Sequence, residues 1–178
     1  RYRGGCDDLL KETFMAFVIT TPNMIGAQPI AETRTDQKHP LGTTVTAYDD
    51  TYGHGEFIYL KGVANTVLGS WVTMHEDDWT TTLLAANDIG QVGIAMSINV
   101  ESSYGWYQIK GKAVGKALAA YADNGLVYAT ATAGSIDDAV VAGDRVKKAI
   151  GASAVDTPST GLAEFEIDRP FMDDATAA

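Results

Sequence analysis

The strongest constraint on the fold lies in residues 92–111. Large apolar side chains fall at Val92, Ile94, Met96 and Ile98, with Gly93, Ala95, Ser97 and Asn99 between them. A period of two is a strand signature, because successive side chains point to opposite faces of a sheet. The small face predicts close approach by another layer or by a neighbouring chain. The glycine-punctuated aromatic run Tyr104-Gly105-Trp106-Tyr107-Gln108-Ile109-Lys110-Gly111 follows, and it suits a second strand paired with the first.

Further strands are expected along the chain. Residues 43–48 form a Thr/Val strand, closed by Asp49-Asp50 and a turn at Tyr52-Gly53-His54-Gly55. Residues 56–60 are apolar on both faces, which predicts a central strand. Residues 70–74 and 126–132 read as strands, the latter after a turn at Asp123-Asn124-Gly125. Near the end, Ala163, Phe165 and Ile167 alternate with Leu162, Glu164 and Glu166, and Pro170 is expected to stop the strand. Residues 79–87 fit a short helix or an irregular loop. Residues 135–151 start like a helix, but Gly143-Asp144 in their middle favours a turn between strands. Glycine, at 18 of 178 residues, and a wealth of Thr and Val agree with this pattern. The expected architecture is mainly β: one antiparallel barrel- or sandwich-like body over residues 43–172, with at most one or two short helices and a flexible tail at 173–178.

Residues 15–42 differ from the rest. Pro22, Pro29 and Pro40 remove backbone donors and bias their predecessors to extended geometry. An extended N-terminal arm is expected there, with strand pieces at 17–20 and 28–33. It has little core of its own, so its order must come from a partner or from the body's surface. Before it, residues 1–14 read as a non-native leader. Met15-Ala16-Phe17-Val18-Ile19 resembles a natural start, and Lys11-Glu12 is encodable as a bacterial ribosome-binding sequence.

Charge narrows the partners. The net charge is −10, which opposes binding to nucleic acid, and the densest basic stretch, Arg145, Lys147 and Lys148, reads as a solvated edge. No apolar run in the sequence has the length of a membrane span, so no membrane partner is expected. The apolar residues 14–20 lack the pattern of a signal peptide. Cys6 is the single cysteine, which excludes an intrachain disulfide.

Residue types that carry chemistry are present but scattered. His39, His54 and His75 form no close pair, and no zinc or nucleophile-elbow spacing accompanies them. Asp49-Asp50, Asp77-Asp78, Asp137-Asp138 and Asp173-Asp174 read as turn and strand-end residues. Residues 111–116 lack the spacing of a phosphate loop. No catalytic residue, cofactor or metal is therefore assigned, and the chain is read as a non-enzyme. Tyr104, Trp106 and Tyr107 suit cross-strand packing, while Trp106 and the loop residue Trp79 are the candidates for stacking on a ligand.

Several segments together resemble the head decoration, or cement, proteins of tailed bacteriophages. They are Gln28-Pro29-Ile30-Ala31-Glu32, then residues 53–63 (GHGEFIYLKGV), 104–111 (YGWYQIKG), 130–139 (TATAGSIDDA) and Asp168-Arg169-Pro170. The order of the segments carries the resemblance, which spans residues 15–170. It implies a structural virion protein on the capsid exterior, made in the host bacterial cytoplasm. Such a protein binds the assembled major capsid protein and bridges its subunits, commonly as a homotrimer. On this reading Phe17, Ile19, Met24 and Ile30 dock the arm on the shell, and deleting residues 16–33 abolishes binding but leaves the body folded. The alternative is a virion surface module that binds host glycans through Trp106 or Trp79. A small hydrolase using His54 or His75 is the third reading.

Overall fold

The computed structural model describes residues 15–22, 24 and 26–174. The leader assigned to residues 1–14 lies outside them. All regular structure among the described residues is β: β1 Val18–Ile19, β2 Thr44–Asp49, β3 Gly53–Lys61, β4 Trp71–His75, β5 Thr80–Leu83, β6 Gly90–Ala95, β7 Tyr104–Lys116, β8 Leu126–Ala129, β9 Ile136–Asp137, β10 Arg145–Gly151 and β11 Leu162–Met172. The sheet runs β1-β2-β3-β5-β4-β6-β7-β11-β10-β8-β9, and a further β3–β7 pairing closes β3, β5, β4, β6 and β7 into a ring. The closing link between β3 and β5 is parallel and short, Lys61 opposite Thr80.

Strand β7 organises the molecule. Its first half pairs with β3 from Tyr104 to Lys110, and Tyr107 and Gln108 also face β6. Its second half pairs with β11 from Lys110 to Lys116. Gly111 marks the transition at φ +101°, where any side chain would run into the backbone carbonyl of His54. Both faces of β7 are largely buried, and it feeds three apolar clusters. Tyr107 and Ile109 fill the ring with Ile58, Leu60, Val72 and Met74. Ala113 joins Trp71, Phe165 and Val146 beneath the β11-β10-β8 extension. Trp106 and Val114 belong to a third cluster, built with Phe57, Tyr59 and the segment before β2.

Alternation holds in β2 and in β11 over 162–167, and β3 is as central as its apolar pattern required. Over 92–99 the expected period of two fails, because β6 ends at Ala95, both faces of 92–95 are buried, and Ile98 is exposed where Asn99 is buried. The small face of β6 is met from within the chain, where Met74 and Tyr107 press against Gly93. Four local expectations need correction. Residues 79–87 hold a strand, β5, because pairing with β4 supplies the order that local periodicity lacks. Residues 28–33 form a turn, Glu32 N–H donating to the Pro29 carbonyl at 3.1 Å. Strand β11 continues through Pro170, with Phe171 opposite both Lys147 and Gln91. The tail begins later than expected, since Asp173 is ion-paired to Lys147. In residues 135–151 the strand reading holds: β9 and β10 flank a turn at Gly143.

Candidate functional site

The arm is part of the body's core. Phe17 is buried with its ring edge-on to Phe57 at 4.9 Å, and Ile30 is 1% exposed. Ile19 and Met24 are half-buried against the same cluster, which includes Val45, Phe57, Tyr59 and Trp106. Phe17 and Ile30 are thereby spent inside the chain, which corrects their assignment to a docking surface, while Ile19 and Met24 keep a partly open face and Val18, 67% exposed, is the outward residue of β1. Pairing of Val18 with Tyr48 and Ile19 with Ala47 holds the segment to the outer edge of β2. The Ala16 amide donates to Asp49 Oδ2 at 2.7 Å. Asp49 Oδ1 accepts from the Thr51 and Tyr52 amides, so this acid serves turn and arm together.

Gln28 is the clasp that holds the arm. It is 3% exposed, and its polar groups are matched one by one. Its amide N–H donates to His39 Nε2 at 3.0 Å, and its Nε2 donates to the carbonyls of Glu32 and Tyr104. Its Oε1 accepts from Tyr59 Oη at 2.8 Å, and its carbonyl accepts from Trp106 Nε1 at 2.8 Å. A polar residue so enclosed is tolerable only because each donor and acceptor has found a partner. The His39 ring packs on Tyr59 and Trp106, at 5.0 and 5.4 Å between centroids. Burial lowers the His39 pKa from the ordinary imidazole value and raises that of Tyr59. No periodicity flags Gln28 as a buried polar residue; the sequence places it only at the start of the strand piece expected at 28–33.

The two tryptophans assigned to ligand stacking are engaged elsewhere. Trp106 is fully buried and cannot meet a ligand. Trp79 is half-buried against the ring's cluster, and its indole lies over Gly42, where a Cβ would fall 2.5 Å from Cε2. The histidines are dispersed: His39 in the clasp, His54 exposed beside Tyr48 on the β2–β3 hairpin, His75 exposed at the end of β4. Among the described residues, no three of His, Cys, Asp and Glu gather as a metal site. The acids organise turns. Thr80, through its hydroxyl and amide, hydrogen-bonds Asp78 and holds its carboxyl below the usual range; Asp138 accepts from the Ala122 amide.

One open groove of roughly 560 Å³ crosses the outer face of β7, β11, β10 and β8. Leu126, Ala149, Ile150 and Ile167 form its apolar floor, and its rim is of mixed charge, with Lys110, Lys112, Arg145 and Lys148 beside Glu166 and Asp168. A bulge shapes it. Lys148 adopts φ +60°, the β10–β11 register shifts between Lys147 and Ala149, and Lys148 lines the groove while Lys147 pairs with Asp173. Lys110 lies 3.7 Å from Glu56 and 3.6 Å from Asp168, and Lys112 lies 2.7 Å from Glu164. Among the described residues Arg145 and Lys148 have no ion-pair partner; Lys148 Nζ lies 6.0 Å from the centre of the Phe171 ring, and the exposed Glu166 shares the rim with both. The basic stretch expected to be a plain solvated edge is thus divided between a salt bridge and a groove.

No family model, curated protein or solved structure matches the chain.

Proposed function

We propose that this chain is a structural virion protein of a tailed bacteriophage, seated on the outside of the assembled capsid, where it stabilises the shell by bridging major capsid protein subunits. One observation carries the reading furthest. The segments that resemble decoration proteins lie far apart in sequence, yet three of them converge on the clasp. Gln28 bonds Tyr59 of β3 and Trp106 and Tyr104 of β7, and β3 and β7 pair along their length. A resemblance distributed over one cooperative unit is what a shared structural role would leave.

With Phe17 and Ile30 turned inward, shell contact falls to the open edge at β1, where Val18 and Tyr48 are exposed. A short edge strand of this kind can accept an added strand from a partner. A net charge of −10 keeps many copies apart before attachment. The protein is made in the host bacterial cytoplasm, acts as a homo-oligomer with a trimer favoured, and is no enzyme. Burial of Trp106 weighs against the glycan-binding alternative.

The test is co-sedimentation of the full chain with expanded, undecorated shells of the cognate major capsid protein. Saturable binding at a fixed ratio to capsid subunits is expected. A folded protein that stays in the supernatant at every concentration overturns the proposal.

A further inference from the structure

The turn that leads into β8 carries the one Asn-Gly step in the sequence, Asn124-Gly125. Glycine shields its own amide nitrogen least, because it has no side chain and leaves the backbone free to rotate. That nitrogen is placed by sequence to attack the side-chain carbonyl carbon of Asn124 and close a cyclic imide. The other asparagines among the described residues lack such a neighbour. Asn65 precedes the fully buried Thr66, Asn87 precedes Asp88, and Asn99 is itself fully buried before Val100. Asn124 is exposed, and among the described residues its side chain has no hydrogen bond.

The turn holds the two reacting groups apart. Asn124 adopts φ +59°, and the Gly125 amide donates to the Ala122 carbonyl at 3.2 Å. Ring closure needs that nitrogen to leave Ala122 and the backbone to rotate out of the left-handed region, so the reaction runs through openings of the turn. The Gly125 carbonyl is tied more firmly. It accepts from Tyr121 Oη at 2.8 Å and from the Gly151 amide at 2.9 Å. Tyr121 is 1% exposed, lies 5.4 Å from the Phe165 ring and belongs to the cluster beneath β11, β10 and β8. Burial, and then the charge of Asp138, pushes its hydroxyl pKa up, which keeps it a donor in alkaline buffer. The residue that supplies the nucleophile is thus also the one that anchors the turn to the core.

We propose that Asn124 is a site of spontaneous modification, converting to aspartate and isoaspartate through an imide with Gly125, and that the isoaspartate form loosens the core around Tyr121. The Gly125 nitrogen bonds to Asn124 Cγ and gives up its proton, the Cγ–Nδ2 bond breaks, and ammonia leaves with that proton. Water then opens the imide at either carbonyl. Opening at Cγ gives aspartate on an unchanged backbone. Opening at the main-chain carbonyl gives isoaspartate, whose backbone runs through Cβ and Cγ and is one atom longer. That atom displaces the Gly125 carbonyl from two donors fixed by the core. Both products also set a new carboxylate beside Asp123 and Asp138, which already stand at this turn.

The experiment is ageing of the purified full chain in mildly alkaline buffer, beside a synthetic peptide of residues 119–130. Peptide mass spectrometry and enzymatic methylation of isoaspartate locate the product. Isoaspartate is expected at residue 124 ahead of every other asparagine, and several-fold more slowly than in the peptide. The modified fraction, separated by ion exchange, should melt roughly 2–8 °C below the unaged chain, the scale of one or two lost hydrogen bonds in a domain of this size. Asn124→Asp carries the charge without the added atom and should lose less. Asn124→Gly accepts the positive φ and should age without the loss. Isoaspartate that is absent from residue 124, or that appears first at another asparagine, overturns the proposal. So does a modified fraction that melts with the unaged chain, or one whose loss Asn124→Asp reproduces in full. A rate equal to the peptide's overturns the hold given to the turn. Shell binding plays no part in any of these readouts.

Discussion

Phe17 and Val18 are neighbours with opposite fates, and the difference can be put to a number. Phe17 is 8% exposed, with its ring 4.9 Å from Phe57 and 6.3 Å from Tyr52. Truncating a buried phenylalanine to alanine removes its transfer free energy and leaves a cavity, together about 3–5 kcal/mol. For a domain of this size each kcal/mol lowers the melting temperature by roughly 2–4 °C, so Phe17→Ala should lower it by about 6–20 °C. Val18 is 67% exposed, and Val18→Ala should cost under ~1 kcal/mol. Urea unfolding followed by far-UV circular dichroism reads both values with their slopes. The reasoning requires that the arm share its core with the body, so that its loss is felt in the global transition. If Phe17→Ala left the main transition in place and merely made residues 15–34 protease-sensitive, the arm would be a separately opening unit and the argument would fail.

The clasp yields two more expectations. Trp106→Phe removes the only donor to the buried Gln28 carbonyl among the described contacts and shrinks a fully buried ring, so it should cost about 2–4 kcal/mol in the same unfolding assay; a cost under ~1 kcal/mol would contradict the core role. His39 should make stability pH-dependent. Burial lowers its folded-state pKa below the ordinary 6.5, so its contribution is complete above about pH 6.5 and is lost as pH falls through the lowered value, when the unfolded chain takes up a proton that the folded chain resists. Protonation also removes the lone pair that accepts the Gln28 amide. Comparing melts between pH 7.5 and 5, His39→Gln should flatten part of the slope, and an unchanged slope would refute the assignment.

Most of the β architecture is legible in the sequence because alternation is a local property. Ala163, Phe165 and Ile167 declare their buried face within a few residues of chain. Where a strand is ordered by its partner, as β5 is by β4, local pattern carries little signal, and a helix or loop fits equally well. Pro170 misleads in the same way. Its missing donor costs little once Phe171 and Met172 find partners across β6 and β10.

By itself the sequence determined the fold class, the acidic composition and the scatter of its histidines and acids. Only the tertiary structure decided what each side chain faces. Burial of Phe17, Ile30 and Trp106 is settled by residues dozens of positions away, and an apolar residue in an extended arm looks the same whether a partner or its own body covers it. The clasp needs Gln28, His39, Tyr59 and Trp106 to converge, which no spacing announces. The groove depends on one bulge at Lys148 that brings Arg145 and Lys148 onto the same rim. These are long-range pairings, and their register arises from closure of the whole sheet, which no local window of sequence contains.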